Sequence, residues 1–269
     1  MSEPAPVATE RAASLIRRLF AEFLGTGLLV TVVVGSGIAA EQLSDDAGLQ
    51  LLENSTATVF GLAVLILMLG PVSGAHFNPV VSLADWFLGR PTGAGLSLRD
   101  VGTYALAQCA GGITGSLLAD AMFSVGVHIS TKHRASGGHL LAEVVATAGL
   151  VALIFALART RRGALAAPAV GAYIGAAYWF TSSTSFANPA VTVGRMFSDT
   201  FAGIAPASAP AFIGMQLAGV VAAVGIVLIL YPTAGEQADD VVIPHPHTRR
   251  AARHVPVEAE APSTTLATN

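Results

Sequence analysis

Long apolar segments separated by short polar ones make up most of this chain. Each apolar segment has at least 18 residues, which at about 1.5 Å of rise per residue crosses a hydrocarbon layer about 30 Å thick. Such segments must be helical, because lipid offers no hydrogen-bond partner for a free backbone N–H. No cleavage site follows the first segment, so it reads as a retained helix and not a signal peptide. The pattern predicts six transmembrane helices, at residues 19–40, 54–71, 101–121, 139–158, 164–184 and 208–231.

The composition of the 269 residues supports a membrane protein. Hydrophobic residues make up 53% of the chain and charged residues 12%, against about 25% charged in ordinary soluble domains. The net charge of −3 and the scattered arginines argue against a nucleic-acid partner. The single cysteine, Cys109, excludes an internal disulfide and a cysteine-based metal cluster. We expect no metal and no cofactor.

The connections between the apolar segments predict the orientation. With the N-terminus inside, eleven Lys or Arg residues lie on the cytoplasmic side and three, Lys132, Arg134 and Arg195, lie outside. The excess of positive charge inside predicts a cell (inner or plasma) membrane protein with both termini cytoplasmic. We therefore divide the chain into a cytoplasmic segment (1–14), a membrane domain (15–231) and a disordered cytoplasmic tail (232–269).

The two halves of the membrane domain repeat each other. The order Glu22, then Asn78-Pro79, returns as Glu143, then Asn188-Pro189. Gln108 and Gln216 each begin a Gln-x-Ala-Gly motif, at matching places in the third and sixth segments. Each half, about 15–121 and 139–231, contains three spans, so the second copy must be inverted relative to the first.

A Gly/Pro-containing break precedes each Asn-Pro pair, and the apolar stretch after the pair is too short to span a membrane. Asn is a preferred N-cap and Pro is favoured at the first helical position. The two stretches, within 70–88 and 181–197, therefore predict re-entrant half-helices. In inverted copies their N-termini would meet near the midplane, with their partial positive charges facing one point. The predicted fold is an all-α membrane protein with six transmembrane helices, two half-helices and an inverted 3+3 repeat.

The duplicated Asn-Pro pairs, the Glu-x-x-x-Thr motifs, the paired glutamines and Ser73-Gly74-Ala75-His76 resemble the aquaporin family, the major intrinsic proteins. The resemblance covers roughly residues 15–231. It implies a homotetramer in the lipid bilayer, with one pore per subunit, that is not an enzyme and passes water or small neutral solutes. It also implies that Asn78 and Asn188 form the pore centre. The glutamates Glu22 and Glu143 would brace the re-entrant loops, with a proton carrier as the alternative role.

The sequence departs from the family pattern at the selectivity filter. Val191 stands where the family usually has Arg, and Val80 replaces Ala after the first Asn-Pro. The family's spacing from the two Asn residues predicts a filter ring of small side chains, which would make the pore wide and charge-free. Its members are Thr58, Ala176, Ser185 and Val191.

Two further residues are candidates for the pore mouths. His76 either lines the inner vestibule or packs within its loop. Arg195 either lines the outer mouth in place of the lost filter charge or reaches out to lipid headgroups.

The resulting hypothesis is a passive channel for glycerol-like polyols, urea and metalloid hydroxides such as arsenite, together with water. Within the family, the alternative is a water-selective channel. From another class, an ion-coupled secondary transporter also uses inverted repeats and broken helices, but it would expose a coupling carboxylate at the pore centre. A membrane enzyme would need clustered acid–base or metal-binding side chains.

Overall fold

The computed structural model describes residues 13–91 and 93–232, and within them all regular secondary structure is helical. The predicted N-terminal segment and C-terminal tail lie almost entirely outside the described residues. Two 3-10 turns, Gly163–Leu165 and Arg195–Phe197, adjoin two of the helices. The α-helices in chain order are α1 (Leu15–Leu43), α2 (Ala47–Ser73), α3 (Pro79–Gly89), α4 (Leu98–Met122), α5 (Gly137–Arg159), α6 (Ala166–Phe180), α7 (Pro189–Gly194) and α8 (Ala209–Leu230).

Six of these helices coincide with the six predicted spans, and α3 and α7 coincide with the predicted half-helices. Five long helices are apolar enough by composition alone to cross a membrane. The remaining long helix, α4, has 25 residues but a lower mean hydropathy. A Cβ at Gly111 or Gly115 of this helix would collide with the backbone of α1, so the two helices pack closely there.

The helix contacts follow the internal duplication. In the first half α1 packs against α2 and α4, and in the second half α5 packs against α6 and α8. Each half-helix also contacts a long helix of the other half, since α7 packs against α4 and α3 packs against α8. The fold therefore has the arrangement that the sequence predicts, six long helices around two short central ones.

The helix ends have local causes in the sequence. Short polar side chains cap the N-termini of four long helices, each accepting a bond from a backbone N–H of the first turn: Ser14, Asp46, Ser97 and Ser136. Helix α2 ends at Gly74, whose φ of 87° is a left-handed conformation that glycine adopts without strain. The first re-entrant loop begins at this helix end.

Candidate functional site

Asn78 and Asn188 lie together at the centre of the bundle. The side-chain oxygen of Asn78 accepts from Val80 N at 3.1 Å and caps α3, while that of Asn188 accepts from Ala190 N at 2.9 Å and caps α7. Asn78 Nδ2 donates to the carbonyl of Ala187 at 2.8 Å. In return, Asn188 Nδ2 donates to the carbonyl before the other cap, at 2.7 Å. The N-termini of the two half-helices are therefore tied to each other's loops.

The loops that lead into the two caps have backbone conformations that non-glycine residues rarely adopt. Ala75 and Phe77 have φ values of 48°, and Ser185 and Ala187 have values of 51° and 47°. These pairs occupy the same places relative to the two Asn residues. Each such residue costs on the order of 1–3 kcal/mol unless its surroundings hold it in place.

A buried glutamate holds each loop. Glu22 on α1 accepts from the backbone N–H of His76 at 3.0 Å and of Phe77 at 2.7 Å. It also accepts from the side chains of Ser73 and Gln108. These bonds satisfy amides that would otherwise be buried without partners.

Glu143 on α5 makes the equivalent set of bonds to the second loop. It accepts from Phe186 N at 3.0 Å and Ala187 N at 2.9 Å, and from the side chains of Ser183 and Gln216. Both glutamates are completely buried, and neither lines the central cavity. This geometry is that of a brace for each loop.

A cavity of about 60 Å³ runs past the two Asn residues. Since one water molecule needs about 10–15 Å³ by the same measure, the cavity has room for several waters or one small solute. Most polar lining groups come from the re-entrant segments, joined by Thr58 and Tyr178 of the long helices. The other lining residues of the long helices form an apolar wall: Leu29, Val33, Leu62, Ile66, Leu150, Ile154, Val170 and Ile174.

Three members of the predicted filter ring line this cavity, namely Thr58, Ser185 and Val191. The fourth assignment, Ala176, is wrong, because Ala176 is exposed on the outer side of α6 and does not reach the cavity. On a helix, residues four apart share a face and residues two apart point in nearly opposite directions. The cavity face of α6 therefore carries Tyr178, whose hydroxyl lies 3.2 Å from Thr58 Oγ1.

Arg195 also lines the cavity, with only 2% of its surface exposed. The interpretation that it reaches lipid headgroups is wrong, and so is the expectation of a charge-free lining. Its Nε donates to the carbonyl of Ala202, and its guanidinium carbon lies 3.5 Å from the ring centroid of Phe186. Neither of the two salt bridges found in the described residues involves Arg195. A positive charge without an acidic partner therefore borders the passage, one helical turn after Val191.

A second arginine lies next to the same region but outside the cavity lining. Arg134, in the connection between α4 and α5, donates to the carbonyls of Gly203 and Phe201 at 2.7 and 2.9 Å. Its guanidinium carbon lies 5.5 Å from the ring centroid of Phe186. Burial lowers the pKa of Arg134 from its usual value, but the group stays protonated because that value is so high.

His76 lines the cavity on the side of the first loop. Its Nδ1 lies 2.9 Å from Ser82 Oγ, and its ring meets Tyr104 edge to face at 5.6 Å. The residue thus both borders the passage and packs within its loop. Val80 is buried but is not part of the lining. No group of three or more potential metal ligands occurs within the described part of the chain.

Sequence analysis missed Tyr178, Phe186 and Arg134. The spacing of Val170, Ile174 and Tyr178 at every fourth residue marks the inward face of α6 and is visible in the sequence. Nothing local marks Arg134, which reaches the site only through the path of its loop.

Comparisons with known proteins identify a family and several similar proteins. Residues 9–186 match the family described as Major intrinsic protein. The chain is 50% identical to aquaglyceroporin AqpS of Rhizobium meliloti (strain 1021) over 213 residues, covering 79% of this chain and 89% of that protein. It is 31% identical to the glycerol uptake facilitator protein of Pseudomonas aeruginosa, over 72% of this chain and 77% of that protein.

A solved structure also has this fold. The X-ray structure of the aquaglyceroporin from Plasmodium falciparum superposes with a TM-score of 0.58 at 21% identity, covering 84% of this chain and 99% of that one. At this level of identity the similarity concerns the fold alone.

Proposed function

Because the chain belongs to the major intrinsic protein family, we propose that it is a passive channel for small uncharged solutes of the glycerol type and for water. The chain is a multi-pass membrane protein of a channel family and not of an enzyme family. The observation that carries the proposal is the pair of cross-bonded caps, Asn78 and Asn188, at one continuous cavity.

The two caps would select against protons and cations. Each Asn amide has two N–H groups and uses one for the cross-bond to the opposite loop, which leaves one for a molecule in the cavity. A water there accepts from both amides, so its own hydrogens point away and a continuous proton wire is interrupted. The positive ends of α3 and α7 raise the energy of any cation at the same point.

The outer part of the cavity would suit a molecule with one apolar and one polar edge. The rings of Tyr178 and Phe186 form an apolar wall. Arg195, Thr58 and Ser185 offer hydrogen-bonding groups. A polyol presents carbon to the first set and hydroxyls to the second. Urea and arsenite, which are small, uncharged and rich in hydrogen-bonding groups, fit the same description.

Passive transport is favoured over ion coupling by the position of the buried acids. Glu22 and Glu143 use both carboxylate oxygens to bind loop amides and neighbouring side chains, away from the cavity. Among the described residues, the cavity lining contains no Asp or Glu. A coupling carboxylate would need to meet the solute or the ion.

The proposal includes the predicted assembly and location. We propose a homotetramer in the cell (inner or plasma) membrane with both termini cytoplasmic. The two repeats would be about 15–121 and 139–231. Large apolar side chains exposed on the outside of the bundle, such as Phe20, Phe60 and Val221, support contact with lipid or with neighbouring subunits.

The test is stopped-flow light scattering on proteoliposomes, with water, glycerol, urea and arsenite compared side by side. We expect glycerol flux above that of protein-free vesicles and independent of proton or sodium gradients. Flux that requires an ion gradient, or a protein that conducts water but no solute, would contradict the proposal. Arg195→Ala should raise the cation leak and change the ratio of glycerol to water permeability, which tests the role of the outer charge.

A further inference from the structure

Asp120 is a buried acid that the site described above does not use. It lies near the C-terminal end of α4, is completely buried, and does not line the cavity. Neither salt bridge of the described residues includes it. Among the described residues, one of its carboxyl oxygens, Oδ2, is buried with no hydrogen-bond partner. Burying an ionisable side chain without a charged partner is expensive, so a role is the default expectation.

Within residues 13–91 and 93–232, Asp120 has one side-chain hydrogen bond, and it leads to the second re-entrant segment. Ser198 Oγ donates to Asp120 Oδ1 at 2.8 Å, and Ser198 itself is fully buried. One turn earlier on α4, Ser116 Oγ donates to the carbonyl of Gly194 at 2.8 Å. One turn before that, Gly112 has no side chain, and a Cβ there would come within 2.7 Å of the carbonyl of Ala190.

These residues stand four apart, so they form one face of α4. We call the face made of Gly112, Ser116 and Asp120 the α4 support face. The α4 support face lies alongside α7 and the 3-10 turn that comes after it.

Arg195 lies between the two hydrogen bonds of the α4 support face. Ser116 holds the carbonyl of Gly194, directly before Arg195, and Asp120 holds Ser198, three residues after it. The N–H of Arg195 still donates to the carbonyl of Val191, and the 3-10 turn Arg195–Phe197 continues the segment beyond α7. The bonds from α4 add to these local bonds and hold the backbone on both sides of Arg195.

The same bond reaches the group that binds the arginine side chain. Ser198 Oγ lies 2.9 Å from Thr200 Oγ1, at the start of the loop that contains Ala202. The carbonyl of Ala202 accepts from Arg195 Nε. Through Ser198, Asp120 therefore contacts the backbone that follows Arg195, and through Thr200 it reaches the loop that accepts from the guanidinium.

We propose that Asp120 is a positioning residue for the selectivity of the outer mouth, which holds Arg195 over the passage through Ser198 and Thr200. The proposal rests on the proposed function of Arg195 as the mouth charge. It assigns to α4, a helix behind the half-helix, a share in determining which solutes and ions pass.

The experiment compares Asp120→Ala with Asp120→Asn in proteoliposomes. The readouts are the glycerol-to-water permeability ratio and the cation leak, measured as a reversal potential. Loss of one buried hydrogen bond should change the permeability ratio about two- to tenfold in Asp120→Ala. The asparagine variant keeps an oxygen that accepts from Ser198, so it should restore the wild-type ratio to within about twofold. The matched control is Asp100→Ala, which removes an acid from the partly exposed inner end of the same helix and should leave both readouts unchanged.

A double variant separates positioning from general destabilisation. If Asp120 acts through Arg195, adding Asp120→Ala to Arg195→Ala changes neither readout further. Additive effects, or a wild-type ratio in Asp120→Ala, would overturn the proposal. So would an Asp120→Asn variant that folds and assembles normally but behaves as Asp120→Ala does. If Arg195→Ala alone conducts like the wild type, the mouth charge has no role, and both statements about selectivity fail while passive glycerol flux still stands.

If Asp120→Ala does not fold, Ser198→Ala removes the same bond from the other side without leaving a cavity at the carboxylate. It should shift the permeability ratio in the same direction as Arg195→Ala. A ratio equal to that of the wild type would overturn the proposal by this route as well.

Discussion

Replacing Glu143 by glutamine distinguishes a brace from a proton carrier. One carboxylate oxygen accepts from Ser183 and Phe186 N, and the other accepts from Ala187 N and Gln216 Nε2. Glutamine keeps one acceptor oxygen, but its amide nitrogen is a donor and would face other donors.

A neighbouring side chain can relieve one of these two donor–donor contacts, the one with Gln216. In the part of the chain that the structure describes, the carboxamide oxygen of Gln216 is buried without a hydrogen-bond partner. Rotation of that side chain would let this oxygen accept from the new amide, at the loss of the bond from Gln216 Nε2 to Thr192. The backbone N–H of Ala187 has no such alternative. One buried unsatisfied N–H costs about 1–3 kcal/mol. In Glu143→Ala the N–H groups of Phe186 and Ala187 both lose their acceptor, which costs about 2–6 kcal/mol, and the strained loop loses its support.

We therefore expect Glu143→Gln to fold with a lowered thermal midpoint and to retain most of its glycerol flux, whereas Glu143→Ala loses both. The measurements are thermal unfolding of the purified protein in detergent and stopped-flow flux in proteoliposomes. Glu22→Gln is the matched control, because it removes the equivalent acceptor from the first loop and should behave alike. A Glu143→Gln protein with the stability of the wild type and no flux would refute the brace and favour proton coupling. An alanine variant as stable as the wild type would also refute it.

Three further changes test the cavity lining and the outer loops. Val191→Arg places a second guanidinium in the passage and should reduce glycerol flux several-fold more than water flux in stopped-flow assays, whereas equal losses would contradict the position of Val191 in the cavity. Tyr178→Phe removes only the hydroxyl that contacts Thr58, so it should change the glycerol permeability by less than about tenfold, the effect of one hydrogen bond. Tyr178→Ala removes the ring as well and should change the glycerol-to-water permeability ratio more than Tyr178→Phe does. The backbone N–H of Thr131 donates to Asp199 and lowers the pKa of that carboxyl below its usual 3.8, so the unfolded chain binds a proton there more readily than the folded one. The contact should therefore be complete at neutral pH and lost in acid below about 3.8. Hydrogen exchange of the loop measures this pH dependence, and Asp199→Asn should abolish it.

The outline of the fold could be predicted because its signals are local. The length of each apolar segment determines whether it can span the membrane, and a Gly/Pro break followed by Asn-Pro determines where a short helix begins. The caps Asn78 and Asn188 and the acids Glu22 and Glu143 repeat in the same order in both halves. An inverted duplication then leaves few arrangements, since paired half-helices must enter from opposite sides.

The identity of the lining residues depended on tertiary structure. The predicted ring contained Ala176, whereas the rotation of α6 turns that residue outward and Tyr178 inward. A helix can be rotated about its axis without any change in its own hydrogen bonds, so only packing against other helices decides which face meets the passage.

Tertiary structure also determined which charge borders the cavity. The sequence alone determined a membrane bundle of six helices with two half-helices and placed an arginine seven residues after the second cap. The ring of Phe186 and the carbonyl of Ala202 turn Arg195 inward, and α4 holds the backbone on either side of it. These partners come from different elements, brought together only by folding, and hydrogen bonds and ring contacts act only over a few ångströms. The tertiary structure therefore decided that the charge of Arg195 borders the cavity.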